Sequence, residues 1–103
     1  MSEHFELPAA EIEAFCRKWK IQKLELFGSA VRGELTPESD IDLLATWRPD
    51  ADWSLFDHMD MEDELSRVLG RQVDLMSRRT IERSRNWILR KHILTSVRTV
   101  YAA

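Results

Sequence analysis

Residues 24–47 read LELFGSAVRGELTPESDIDLLATW: an apolar run that ends in Gly28-Ser29, then a polar stretch, then a second apolar run that carries Asp40 and Asp42. Leu24, Leu26 and Phe27 have the pattern of a short buried strand, and a glycine directly after it lets the backbone approach a ligand with no Cβ in the way. Ser29 adds a hydroxyl beside the N–H groups that open the next turn, whose fixed partial positive charge suits phosphate oxygens. A plain turn uses the same two residues. The segment 30–33 predicts one or two helical turns, from which Arg32 either reaches back to phosphate or lies on the surface, and residues 36–39, TPES, predict a turn into the next strand.

Asp is disfavoured in strands, yet Asp40 and Asp42 alternate with Ile41 and Leu43 at strand spacing, so both carboxylates point to one face. Two such anions repel unless a cation sits between them, and oxygen-only ligation suits Mg²⁺. An antiparallel strand with one solvated face gives the same alternation. Further along, Val73-Asp74-Leu75-Met76 is again an apolar run with one Asp inserted, which makes Asp74 the candidate for a third carboxylate.

Around these strands the periodicity changes from two to three and four. Pro8, followed by Ile12, Phe15, Cys16 and Trp19, predicts an amphipathic helix to about Lys20 that lies as a lid on the sheet. Ser54 as N-cap and Gly70 as terminator bracket a second helix, with Met61, Leu65, Val68 and Leu69 as its inner stripe. Its acidic cluster of Asp57, Asp60, Glu62, Asp63 and Glu64, with His58, reads as a charged helix face placed toward the favourable end of the dipole. Ile81, Trp87, Ile88, Leu89, Ile93 and Leu94 predict a final helix, and Val97 to Tyr101 a short edge strand. The expected fold is therefore α/β, one domain over residues 1–103, with a small mixed sheet of three main strands near 24–28, 40–46 and 72–76 flanked by helices.

A chain of 103 residues and 12.1 kDa has room for one core and none for a second substrate-binding domain. With no long apolar run and an acidic N-terminus, neither a membrane span nor a secretory signal is expected, which places the protein in the cytoplasm. The single cysteine, Cys16, excludes an internal disulfide or a cysteine zinc site. The net charge of −3 hides an asymmetry, because residues 71–103 hold 8 basic and 2 acidic side chains. That basic third either faces nucleotide or an acidic partner, or is a solvated helix face. As a nucleic-acid surface it is poor, having only Trp87 and Tyr101 to stack on bases.

Taken together, Gly28-Ser29, Arg32-Gly33 and Ser39-Asp40-Ile41-Asp42 resemble the signature of the polymerase beta-like nucleotidyltransferase superfamily, and most closely its minimal nucleotidyltransferases, G-S-x-x-R-G followed by S-D-[IV]-D-[LV]-L. The resemblance implies the nucleotidyltransferase fold, nucleotide binding by Gly28, Ser29 and Arg32, and catalysis by Asp40, Asp42 and Asp74 as ligands of two Mg²⁺ ions, with Asp74 on the nucleophile side. It implies ATP as substrate, AMP as the group transferred, and an antitoxin that modifies a tyrosine on a HEPN-type toxin partner. A binding antitoxin that neutralises its partner by steric contact alone is the alternative. Arg85 and His92 match the loose spacing of the HEPN ribonucleases themselves, but the mixed α/β context and the lack of a tyrosine close behind His92 mark a chance match.

Overall fold

A mixed sheet of four strands runs through the computed structural model, which describes residues 7–28 and 40–103. The strands are β1 (Ile21–Phe27), β2 (Ile41–Trp47), β3 (Val73–Ser77) and β4 (Arg98–Ala102), in spatial order β3-β2-β1-β4. β1 lies antiparallel to β2 and β4, whereas β2 and β3 run parallel. Among the described residues four helices flank the sheet: α1 (Ala9–Lys18), α2 (Leu55–Leu69), α3 (Arg78–Glu82) and α4 (Trp87–Leu94). The parallel pair requires a crossover, which α2 supplies. The class is the expected one, with the C-terminal tail forming the fourth strand at an edge.

Strand alternation sorts the side chains into two layers. Leu24, Leu26, Ile41, Leu43, Ala45, Val73 and Leu75 face α1 and α2 and form the main core with Ile12, Phe15, Cys16, Met61 and Leu65. Leu65 is fully buried, so its truncation to Ala removes about 2–5 kcal/mol. A second, smaller core lies on the opposite face, where Phe27 and Leu44 meet Ile81 of α3 and Ile93 of α4. Asp42 and Asp74 belong to this second face, because they alternate with the core residues of β2 and β3.

Helix α2 starts and stops on local chemistry. The Ser54 hydroxyl accepts from the Asp57 N–H at 3.2 Å, and the Asp57 carboxylate accepts from the Ser54 N–H at 2.9 Å, a reciprocal capping box. Gly70 ends the helix in the left-handed region, at φ 67°. Between these ends three side chains spaced one turn apart cover the outer edge of β3. His58 Nε2 donates to the Leu75 carbonyl at 2.7 Å, Glu62 accepts from the Leu75 N–H at 2.9 Å, and the Ser66 hydroxyl accepts from the Val73 N–H at 3.2 Å. Glu64, another member of the acidic face, accepts from the Trp19 indole N–H at 2.9 Å and from Lys18 at 3.1 Å. Burial alone would raise the Glu64 carboxyl, but these bonds and the nearby Lys18 and Arg67 charges outweigh it and hold the group below its usual range. The acidic cluster is thus partly structural, where a merely charged face was expected.

Three boundaries differ from expectation. α1 stops at Lys18 and Lys20 takes a positive φ of 57°, so that β1 begins at Ile21 with its side chain in the core. The expected single C-terminal helix is two, because the Asn86 side chain accepts from the Leu89 N–H at 3.1 Å and caps a new start. Of its expected inner stripe only Ile81, Ile93 and the partly buried Leu94 face the core, while Trp87, Ile88 and Leu89 are exposed. Val68 likewise stands outside the main core that Met61 and Leu65 enter.

One buried charge interrupts the second face. Glu25 is 2% exposed in the middle of β1, where it pairs with Arg78 of α3 at 2.5 Å and Lys23 at 3.6 Å. Arg78 also reaches Glu82 at 3.3 Å, so the pair fixes α3 to the sheet. Removing one partner of a buried pair strands the other, whereas an apolar replacement of both is often neutral. Glu25→Ala is therefore expected to destabilise the fold by about 3 kcal/mol, the low end of the roughly 3–5 kcal/mol such a loss costs, because Arg78 is partly exposed. The double change Glu25→Leu with Arg78→Met should recover most of the loss in urea denaturation.

Candidate active site

The first carboxylate stands immediately before β2, the second is the second residue of β2, and the third is the second residue of β3. Parallel register sets Asp42 directly beside Asp74, with Ile41 beside Val73 and Leu43 beside Leu75. The apolar neighbours on both sides are buried, which pins that register: a one-residue slip of either strand would drive its carboxylate into the core. Asp40 is exposed and close enough that its charge acts on Asp74.

The Asp74 carboxyl is raised above its ordinary range, first by burial, then by the charges of Asp40 and Glu62. Asp74 is therefore under both desolvation and like-charge repulsion, the condition that a bound cation relieves. Among the described residues no three His, Cys, Asp or Glu side chains close on one point at metal-ligand distance. The chemistry of the donor set still fits a hard divalent cation, since Asp42 and Asp74 are oxygen donors held on one rung and Asp40 adds a third near them.

Gly28 follows β1 with φ 78°, a conformation that side chains rarely adopt. A Cβ built there would stand 2.5 Å from Asp42 Oδ2. Phe27 is the antiparallel partner of Asp42, which explains why the next residue crowds that carboxylate. The glycine expected to clear space for a ligand thus clears space for the Asp42 side chain itself. Ser29 and Arg32, the other nucleotide-binding candidates, lie outside the described residues, as do the helical turns expected at 30–33 and the turn at 36–39. Cys16 plays no part: it is buried, and burial pushes its thiol up to about 12.

Reasoning from sequence missed Glu25, which shares the face of the carboxylates, and Glu62, which acts on Asp74. For Glu25 the signal was present as a lone charge inside LELF. For Glu62 no local signal existed, because its partner is the backbone of a strand 13 residues away.

With this geometry in view, comparison with known proteins is direct. Residues 11–98 match the nucleotidyltransferase domain family, and the chain belongs to it. A Methanocaldococcus jannaschii relative assigned to the protein adenylyltransferases is 36% identical over 64 residues, covering 62% of this chain and 64% of its own length, so the chain spans under two thirds of that relative. Among solved structures, a toxin-antitoxin complex with AMP-PNP superimposes with a TM-score of 0.72 at 23% identity, over 94% of this chain and 75% of the matched one. A tri-AMPylated Shewanella oneidensis HEPN toxin in complex with an MNT antitoxin gives 0.61 at 21% identity, over 92% and 70%. These two similarities establish the fold.

The raised Asp74 carboxyl has a consequence for stability. A folded-state value above the unfolded one means that the fold holds the proton more tightly, so stability is greatest below the ordinary carboxylate range and falls as pH rises through the raised value. Asp74→Asn is accordingly expected to raise the melting temperature of the metal-free protein at neutral pH. The gain should vanish in acid, where wild-type Asp74 is already neutral. Calorimetry in EDTA across that range checks it.

Proposed function

We propose that this protein is a Mg²⁺-dependent nucleotidyltransferase that moves AMP from ATP to a hydroxyl, that of a tyrosine on a HEPN-type toxin partner, and so acts as an antitoxin. The observation that carries the reading is the register pairing of Asp42 with Asp74, with Asp40 beside them and Gly28 making room. Family membership and the toxin-antitoxin complexes of the same fold support it.

In this reading Asp40 and Asp42 hold the metal pair and Asp74 completes the ligand set on the nucleophile side. When bound, two Mg²⁺ ions lower the pKa of an acceptor hydroxyl and neutralise the charge that builds on departing pyrophosphate. The chain's own contribution is positional. The buried neighbours of β2 and β3 lock the register of Asp42 and Asp74, and Gly28 leaves Asp42 Oδ2 its place. The hydroxyl oxygen gives up its proton to solvent and forms the new bond to the α-phosphorus while the bond to pyrophosphate breaks, its electron pair leaving with pyrophosphate. Ser29, Gly28 and Arg32 bind the nucleotide phosphates.

A second reading, a binding antitoxin that acts by steric contact, draws on the exposed apolar side chains Trp87, Ile88 and Leu89 of α4. A burial-competent surface of that kind serves partner binding whether or not transfer follows.

The two readings separate on Asp74→Asn. It should still bind Mg-ATP and the partner, yet lose transfer by roughly a thousandfold, about 4 kcal/mol of barrier. Asp40→Asn combined with Asp42→Asn should lose nucleotide binding as well. Intact-mass spectrometry of the partner, run beside pull-down and a toxicity assay, reads modification, binding and neutralisation apart. Full neutralisation by the Asp74 variant with no mass shift on the partner would establish the steric reading instead.

A further inference from the structure

Asp74 stands in a strand that is tied on both sides. The Ile41 N–H donates to the Gln72 carbonyl at 2.9 Å, so Gln72 turns its backbone groups toward β2, and by the alternation of the parallel ladder Asp74 does the same. The backbone groups of its two neighbours point the other way, to α2. The Val73 N–H donates to the Ser66 hydroxyl at 3.2 Å and the Leu75 N–H to Glu62 at 2.9 Å, while the Leu75 carbonyl accepts from His58 Nε2 at 2.7 Å. Side chains of one helix thus hold the peptides on either side of Asp74 from the flank away from β2.

The bond to Leu75 does not require a charge. A neutral oxygen accepts a strand N–H as well, as Ser66 does for Val73. Glu62 is instead a carboxylate close to other carboxylates: its charge acts on Asp74, whose carboxyl is raised first by burial, then by Asp40 and Glu62. His58 Nε2 stands 3.9 Å from the Glu62 carboxylate, beyond hydrogen-bond length, and is committed to the Leu75 carbonyl. In the metal-free fold the Glu62 charge is therefore a cost to Asp74. A divalent cation held by Asp42 and Asp74 reverses the sign, because a further negative charge then attracts.

We infer that Glu62 is a positioning residue of the carboxylate site: it fixes the peptide that follows Asp74, and its negative charge strengthens the hold of Asp42 and Asp74 on a divalent cation. It acts through Asp74 and not as a ligand. The inference rests on the reading of Asp42 and Asp74 as metal ligands. The Glu62 side chain is 31% exposed, so solvent screens its charge and limits the effect to a few-fold.

The test measures two quantities on the full chain at neutral pH: Mn²⁺ affinity by electron paramagnetic resonance without nucleotide, and the melting temperature in EDTA. Glu62→Gln keeps an acceptor for the Leu75 N–H and loses only the charge. It should weaken Mn²⁺ binding by about threefold or more, yet melt in EDTA no lower than wild type. Glu62→Ala loses bond and charge together, so it should weaken Mn²⁺ at least as much and also melt lower. Ser66→Ala removes the neighbouring bond without touching a charge, and should melt lower with wild-type Mn²⁺ affinity. The inference is overturned by wild-type Mn²⁺ affinity in both Glu62 variants, or by a lower melting temperature in Glu62→Gln, which would make the carboxylate a fold-stabilising group only. Equal weakening in Ser66→Ala and Glu62→Gln would also overturn it, by assigning the effect to anchoring of the strand. Asp42→Asn separates these failures from failure of the metal-site reading. If wild type binds Mn²⁺ and Asp42→Asn does not, that reading stands whatever the Glu62 variants show; no binding by wild type, or unchanged binding in Asp42→Asn, overturns both.

Discussion

Two negative charges stand side by side on one rung of a parallel ladder, and much of the rest of the structure holds them there. Asp42 and Asp74 would separate if either strand could slide, but sliding would expose Ile41 and Leu43, or Val73 and Leu75, to water. Burying each of these side chains stabilises by about 1.5–3 kcal/mol, so the two on either strand together outweigh the repulsion of two partly solvated carboxylates. The register is thus maintained by the core on one face of the sheet while its consequence appears on the other. The Asp74 carboxyl is raised in the fold, first by burial and then by the charges of Asp40 and Glu62.

The second face is polar in more than its carboxylates. Glu25 and Arg78 form an ion pair on the same side of the sheet, and Arg78 follows directly from β3. The pair therefore attaches the end of the strand that carries Asp74 to the centre of β1. An apolar pair would fill that space as well, but a charge pair accepts fewer alternative partners. It fixes α3, and with it the small core of Phe27, Leu44, Ile81 and Ile93, in one arrangement.

Much of this was legible in the chain because the residues concerned obey local rules. The alternation of Ile41 and Leu43 with Asp40 and Asp42, the Ser54 cap and the Gly70 terminator each act through neighbours a few positions away. Gly28 was legible as a position that excludes a Cβ, and the Asp42 carboxylate is a group that fills the space a Cβ would take. What stayed hidden was long range. Glu62 and His58 meet β3, and Glu64 meets Trp19 45 residues away, contacts that no spacing in the helix encodes. The C-terminal helix was misjudged because Trp87, Ile88 and Leu89 are apolar without being buried, and a count of apolar positions cannot distinguish the two.

The row formed by His58, Glu62 and Ser66 bears on how molecules of this protein can meet. A sheet with two open borders can add strands indefinitely and grow into a fibre. Here the outward N–H groups of Val73 and Leu75 and the Leu75 carbonyl are already taken, so β3 offers an incoming strand little to bond. Among the described residues the border at β4 is the one left. Two copies joined there would each turn a closed border outward, and the assembly would end at a pair.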